Sequence, residues 1–168
     1  MHTSMHTAGM LQVTTPGDRE IAMTRLFDAP RSLVFDALTQ PERVKRWLLG
    51  PPGWSMPICE IDPRVGGAYR YVWRHDDDGT EMGMRGTFRE VFPQERLVVT
   101  EKFDESWYPG EALVTTVLVE RHGVTTLTLT ILYESREARD IALKTPMEKG
   151  VAASYDRLAA LLAPGLAD

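Results

Sequence analysis

Glu20 to Phe27 alternates, with Ile21, Met23 and Arg25 on one parity and Ala22, Thr24 and Leu26 on the other, which predicts a strand that opens a sheet. The period then lengthens. Asp28-Ala29-Pro30 starts a short helix with Leu33, Val34, Ala37 and Leu38 as its apolar face, and Pro30 suits the first turn, where an N–H would go unpaired anyway. Thr39-Gln40-Pro41-Glu42 starts a second helix carrying Val44, Trp47 and Leu48, stopped by Gly50-Pro51-Pro52-Gly53. From Met56 the period returns to two. Met56, Ile58 and Glu60 alternate with Pro57, Cys59 and Ile61, and Pro63 with Gly66-Gly67 makes a turn.

Ala68 to Arg74 is the clearest strand, with Tyr69, Tyr71 and Trp73 facing one way and Arg70 and Arg74 the other. Asp76-Asp77-Asp78-Gly79 reads as a hairpin loop. Met82, Met84, Gly86 and Phe88 share the next face, and after a turn at Pro93 so do Leu97, Val99, Glu101 and Phe103. A longer loop, Glu105 to Glu111, holds Trp107 and Tyr108. Two more strands, Leu113 to Glu120 and Thr125 to Tyr133, are joined by His122-Gly123. Such a run of strands and short turns predicts an antiparallel meander of six.

The end of the chain is helical again. Ser135 caps a piece from Arg136 to Lys144, and Thr145-Pro146-Met147-Glu148 has the form of a capping box ahead of a long helix ended by Pro164-Gly165. In that helix Met147, Val151, Tyr155, Leu158 and Leu162 recur at three- and four-residue spacing, opposite Glu148, Lys149, Ala152, Ala153, Asp156 and Arg157. One apolar stripe must be buried, and the sheet is the only surface large enough to bury it. The fold class is α+β: a curved antiparallel sheet with two short helices and a long C-terminal helix, and a cavity is expected between the layers.

Composition narrows the function. A chain of 168 residues with 43% hydrophobic and 26% charged residues is most simply one domain, here 18–164, preceded by a mobile polar tail over 1–17. His2 and His6 lie in that tail, where a solvated chain offers no fixed metal geometry. A net charge of −5 speaks against nucleic-acid binding and against docking on anionic membranes. No apolar run reaches the ~18 residues that span a bilayer. The single Cys59 forms no internal disulfide, and a cytoplasmic location is expected.

Catalytic and cofactor motifs are absent from the sequence. It has no Cys-Xaa-Xaa-Cys pair, zinc-protease helix, phosphate loop or nucleophile elbow, so neither metal nor cofactor is expected. Glu101 stands out, because the parity of Leu97, Val99 and Phe103 turns it inward, where a carboxylate has a raised pKa and wants a partner. Tyr69, Tyr71, Trp73, Met84, Phe88, Phe103 and Tyr155 are the candidate pocket wall, with core packing as the alternative. Trp47, Trp54, Trp107 and Tyr108 are placed at its rim. His75 and His122, at hairpin ends, are expected in solvent, and Cys59 as a small buried hydrophobe.

Four segments carry a resemblance: Phe27-Asp28-Ala29-Pro30 with Val34-Phe35; Thr39-Gln40-Pro41-Glu42 to Trp47; Asp62 to Arg70 with Asp78-Gly79-Thr80 and Gly86; and Gly150 with Ser154-Tyr155-Asp156-Arg157-Leu158. Over about residues 20–163 the chain resembles bacterial free-standing proteins related to the activator of heat-shock-protein-90 ATPase, of the START-like (SRPBCC, helix-grip, Bet v 1-like) superfamily. It departs from them where they often carry Trp: here stand Leu48-Leu49, Val151 and Glu101. All three departures touch the expected cavity.

The resemblance implies a helix-grip fold. With the aromatic set it points to a small lipophilic or aromatic ligand between sheet and helix. Other members imply two alternatives: a cyclase- or hydrolase-type enzyme with Glu101 as acid/base, and a chaperone- or stress-response-linked interaction protein. A homodimer fits family habit.

Overall fold

The computed structural model describes residues 9–163. Eight antiparallel strands form one sheet: β1 (Gln12–Thr14), β2 (Glu20–Phe27), β3 (Trp54–Ile61), β4 (Ala68–His75), β5 (Glu81–Phe92), β6 (Arg96–Phe103), β7 (Ala112–Arg121) and β8 (Val124–Leu132). Their spatial order is β1-β2-β8-β7-β6-β5-β4-β3, so β3 to β8 are the expected six-stranded meander and β2 closes beside its last strand. Helices α1 (Arg31–Thr39) and α2 (Pro41–Trp47) lie between β2 and β3, and α3 (Arg136–Leu143) and α4 (Met147–Leu162) follow β8. The architecture is the α+β arrangement predicted.

Eight strands about 4.8 Å apart make a sheet roughly 34 Å wide. One helix is about 10–12 Å across. Therefore α4 cannot cover the face alone, and the buried residues divide into three clusters. Ile21, Met23, Val114, Ile131 and Tyr133 pack with Ala138 and Ala142 of α3. Phe27, Val34, Trp47, Leu127, Tyr155 and Leu158 join α1, α2 and α4 to the sheet. Met56, Tyr69, Trp73, Met84, Phe88 and Leu97 form the third, on β3 to β6.

Polar ties hold α4 at two places. Arg25 does point inward from β2: its Nη2 donates to Asp156 Oδ1 at 3.1 Å, and its guanidinium lies 4.9 Å from the Phe27 ring centroid. At the other, Ser154 Oγ accepts the Gly50 N–H at 2.8 Å while Arg157 Nη1 donates to the Gly50 carbonyl at 2.6 Å. Both polar backbone atoms of this positive-φ glycine are thus taken by the helix. Arg157, expected on the solvent side, is half-buried for this reason.

Other expectations are corrected. Gln12–Thr14, placed in the tail, pair with Ala22–Thr24 as an edge strand. Residues 1–8, with His2 and His6, and the Pro164-Gly165 stop lie outside the described residues. In β3 a bulge between Ser55 and Ile58, around Pro57, shifts the register by one. Met56 is buried and Cys59 and Ile61 half-buried, whereas Ile58 is exposed, so the simple alternation fails. Ser135 does cap α3, accepting from the Ala138 N–H at 3.0 Å. The capping box before α4 does not form: Thr145 Oγ1 donates back to the Ala142 carbonyl at 2.7 Å, and no side chain caps the helix.

Leu158 is fully buried, whereas Leu143 is 43% exposed. Leu158→Ala should cost about 2–5 kcal/mol, and Leu143→Ala within about 0.5 kcal/mol, in urea denaturation. Equal losses would contradict the placement of α4 on the sheet.

Candidate functional site

Glu101 lies on the inner face of β6, between Val99 and Phe103. Its cross-strand neighbour on β7 is Ala112, and by continuation of the register its neighbour on β5 is Gly86. Gly86 in turn pairs with Tyr69 of β4, and the same row reaches Tyr133 just past β8. The row therefore reads Tyr69, Gly86, Glu101, Ala112, Tyr133, with the two smallest side chains flanking the carboxylate.

Gly86 is required by its neighbours. A Cβ there would run into the Thr100 carbonyl and the Tyr69 ring. In its absence Tyr69 crosses β5 and donates its hydroxyl to Thr100 O at 2.6 Å. The β5–β6 ladder has no bridge pair between Arg85–Lys102 and Phe88–Val99, and the Thr87 N–H goes to Thr100 Oγ1 instead, at 2.9 Å. The backbone thus loosens beside Glu101.

Four phenols lie close enough to the carboxylate to feel its charge. Burial pushes Tyr69, Tyr71, Tyr108 and Tyr133 above the ordinary tyrosine range, and the Glu101 charge pushes each the same way, in Tyr71 behind Cys59. Tyr108 packs edge-on against Tyr133, ring centroids 5.0 Å apart. Its hydroxyl is buried and has no hydrogen-bond partner. The Tyr133 hydroxyl reaches only the Met147 sulfur of α4, at 4.0 Å.

Burial pushes the Glu101 carboxyl up to about 7, with no cation opposing the shift. Yet Glu101 is only half-buried by surface area. The carboxyl thus sits where neighbouring side chains strip much of its hydration without sealing it off. The inward-facing Val99, Phe103, Leu129 and Val151 are likewise half-buried. Trp107, 39% exposed, lies on Phe103 with ring centroids 4.3 Å apart.

The residues singled out from the sequence separate into three groups. Tyr69, Tyr71, Met84, Phe88 and Phe103 gather on the Glu101 side of the sheet, with Trp107 outside Phe103. Trp47 and Tyr155 belong to the α1–α2–α4 cluster; Trp47 is 3% exposed, and its indole N–H donates to the Ala37 carbonyl at 2.8 Å, so it is core and not rim. Trp73 is also structural, donating to the Leu48 carbonyl at 2.7 Å, and Trp54 packs on His75 at 4.9 Å. That contact leaves His75 half-buried, not solvated as expected. Tyr108, expected at the rim, is buried at 4% exposure.

Tyr133 escaped the candidate set, although it continues the inward parity of Leu127, Leu129 and Ile131 and was legible on that ground. Cys59 is a poor nucleophile, its thiol pushed up to about 11 chiefly by burial. Among the described residues no cluster of three or more potential metal ligands occurs, and no helix is long and apolar enough to cross a membrane. A shallow depression of about 190 Å³ is lined by Arg19, Arg89, Thr100, Glu111, Ala112, Leu113, Leu132, Tyr133 and Glu134; it shares Ala112 and Tyr133 with the row of Glu101 but contains none of the site residues named from the sequence.

A curved antiparallel sheet packed against a C-terminal helix is the helix-grip arrangement of START-like proteins. Within that class, the chain belongs to the family described as activator of Hsp90 ATPase homolog 1-like protein, whose model matches residues 28–163. A crystal structure of a Rhodobacter sphaeroides protein is 31% identical, with 90% of this chain and 97% of that one covered and a TM-score of 0.85. One from Chromobacterium violaceum is 26% identical, covering 88% and 99%, with a TM-score of 0.75. A Mycobacterium smegmatis structure at 21% identity, covering 91% and 96%, shares the fold with a TM-score of 0.80. No curated protein matches the chain in sequence.

A carboxyl with a pKa of 4.5 unfolded and about 7 folded binds its proton more tightly in the native state. Its contribution to stability is full below about pH 4.5, falls as pH rises to about 7, and is constant above that; the whole fall is at most about 3 kcal/mol. Glu101→Gln should remove this fall and exceed the parent's stability at pH 8 by about 1–3 kcal/mol, with little difference at pH 4.5. Urea midpoints measured across that range decide it, and parallel curves for the two proteins would contradict the buried, unpaired carboxyl.

Proposed function

We propose that this protein is a binding module for a small lipophilic or aromatic molecule, held between the sheet and α4 with Glu101 as the polar anchor. One observation carries the reading: among the described residues the inward-facing Glu101 carboxylate has no partner, stands among aromatic side chains and is not fully buried. Such a group is costly to keep unless something else completes its hydrogen bonding. Apolar walls with a few converging polar groups are the usual make-up of a small-molecule site. Here the walls are Tyr69, Tyr71, Phe88 and Phe103 with Met84, a side chain that adapts to irregular ligands.

The ligand would enter past Trp107. The helix ties at Arg25–Asp156 and Gly50 involve neither Trp107 nor Phe103, so admission there does not require breaking them. Trp47, Trp73 and Tyr155, with their ring N–H groups or faces already engaged, support the frame instead of touching the ligand.

A thermal-shift screen of lipophilic and aromatic molecules tests the proposal. A ligand at ~100 times its Kd adds about 2.7 kcal/mol, or several degrees for a domain of this size. A chemically related set of hits, weakened by Phe103→Ala, is the expected result. A flat screen, or hits indifferent to Phe103, would overturn it.

A further inference from the structure

The Glu101 site also specifies the sign of its ligand. It holds one carboxylate, and the groups that feel its charge are Tyr69 and Tyr71 from β4, Tyr108 from the β6–β7 loop, and Tyr133 after β8. Its flanking positions on β5 and β7 are Gly86 and Ala112, and the neighbouring inward residues of α4 are Met147 and Val151. Two more acidic groups lie nearby, Glu111 acting on Tyr69 and the Cys59 thiol on Tyr71. Neither buried arginine serves Glu101: Arg25 is spent on Asp156 and the Leu26 carbonyl, and Arg139 on Asp140 and the carbonyls of Gly17 and Glu20. The walls are electron-rich aromatic faces, which attract cations.

On the reading that this interior is a ligand site, we infer that its ligand is an organic amine, bound as the ammonium ion, with Glu101 as counter-ion and tyrosine and phenylalanine faces as walls. An anionic ligand would meet an uncompensated like charge. A neutral ligand would leave the carboxylate either unpaired or protonated. An ammonium group supplies both the missing charge and N–H donors, which a carboxylate can only accept.

Protonation then gates binding. With no ligand, the Glu101 carboxyl is held near 7 by burial, so it is mostly ionised at pH 8 and mostly neutral at pH 6. An alkylamine, with a pKa near that of lysine at about 10.4, stays cationic across that range. The surrounding phenols stay neutral. Amine affinity should therefore drop about tenfold from pH 8 to pH 6.

The test is calorimetry with three probes of one shape: 2-(2-naphthyl)ethylamine, 2-(2-naphthyl)ethanol and 2-naphthylacetate. The expected result is an amine at least about tenfold tighter than the alcohol at pH 8, a preference that shrinks about tenfold by pH 6, and no binding of the carboxylate. In Glu101→Gln the preference for amine over alcohol should vanish. Equal binding of amine and alcohol to the parent protein, or a preference that survives Glu101→Gln, overturns the amine assignment while leaving the aromatic site standing. Binding led by the carboxylate also overturns it. Failure of all three probes at both pH values overturns the assignment, and a flat broader screen would then remove the ligand-site reading as well. The parent protein's pH response decides the matter even where the variant is altered in fold.

Discussion

One helix is too narrow for the sheet it closes. The apolar stripe of α4 covers a fraction of an eight-stranded face, and the rest must be filled from α1, α2, α3 and the sheet's own side chains. The three buried clusters are that solution, and Glu101 stands among them. The polar ties of α4, Arg25–Asp156 and the Gly50 clasp, fix the helix without needing the middle of the sheet to be filled. A carboxyl on the inner face is therefore compatible with folding, though it costs stability as pH rises from about 4.5 to about 7 and stays costly above that.

The row across the sheet shows how the polar group is accommodated. Gly86 and Ala112 leave room beside Glu101, and Tyr69 and Tyr133 close the row with large rings. Tyr69 uses the space over Gly86 to reach a carbonyl, so its hydroxyl is satisfied. Tyr108 has no such recourse. Among the described residues neither the Tyr108 hydroxyl nor the Glu101 carboxylate has a hydrogen-bond partner, and that pair of unmet groups is what the proposed ligand reading rests on.

Much of this was legible in the sequence because strand parity is rigid: once Tyr69, Tyr71 and Trp73 face inward, pairing carries Met84, Phe88, Val99 and Glu101 to the same side. The spacing in α4 was equally plain. Parity failed where an extra residue entered, at the Pro57 bulge, and where pairing depended on a distant partner, as for β1. Indole side chains were misread for a different reason. Their apolar bulk looks the same at a rim and in a core, and only the bonds to Ala37 and Leu48 reveal that Trp47 and Trp73 are structural. The loop residue Tyr108 carries no periodic signal that would have turned it inward.

The most direct test of the account is the ionisation of Glu101 itself, followed by NMR of the side-chain carboxyl carbons in 13C-glutamate-labelled protein and assigned by Glu101→Gln. The account predicts one glutamate titrating near pH 7 in the ligand-free protein. A Glu101 that titrates near 4.5 with the exposed glutamates would contradict a buried, unpaired carboxylate and with it the site.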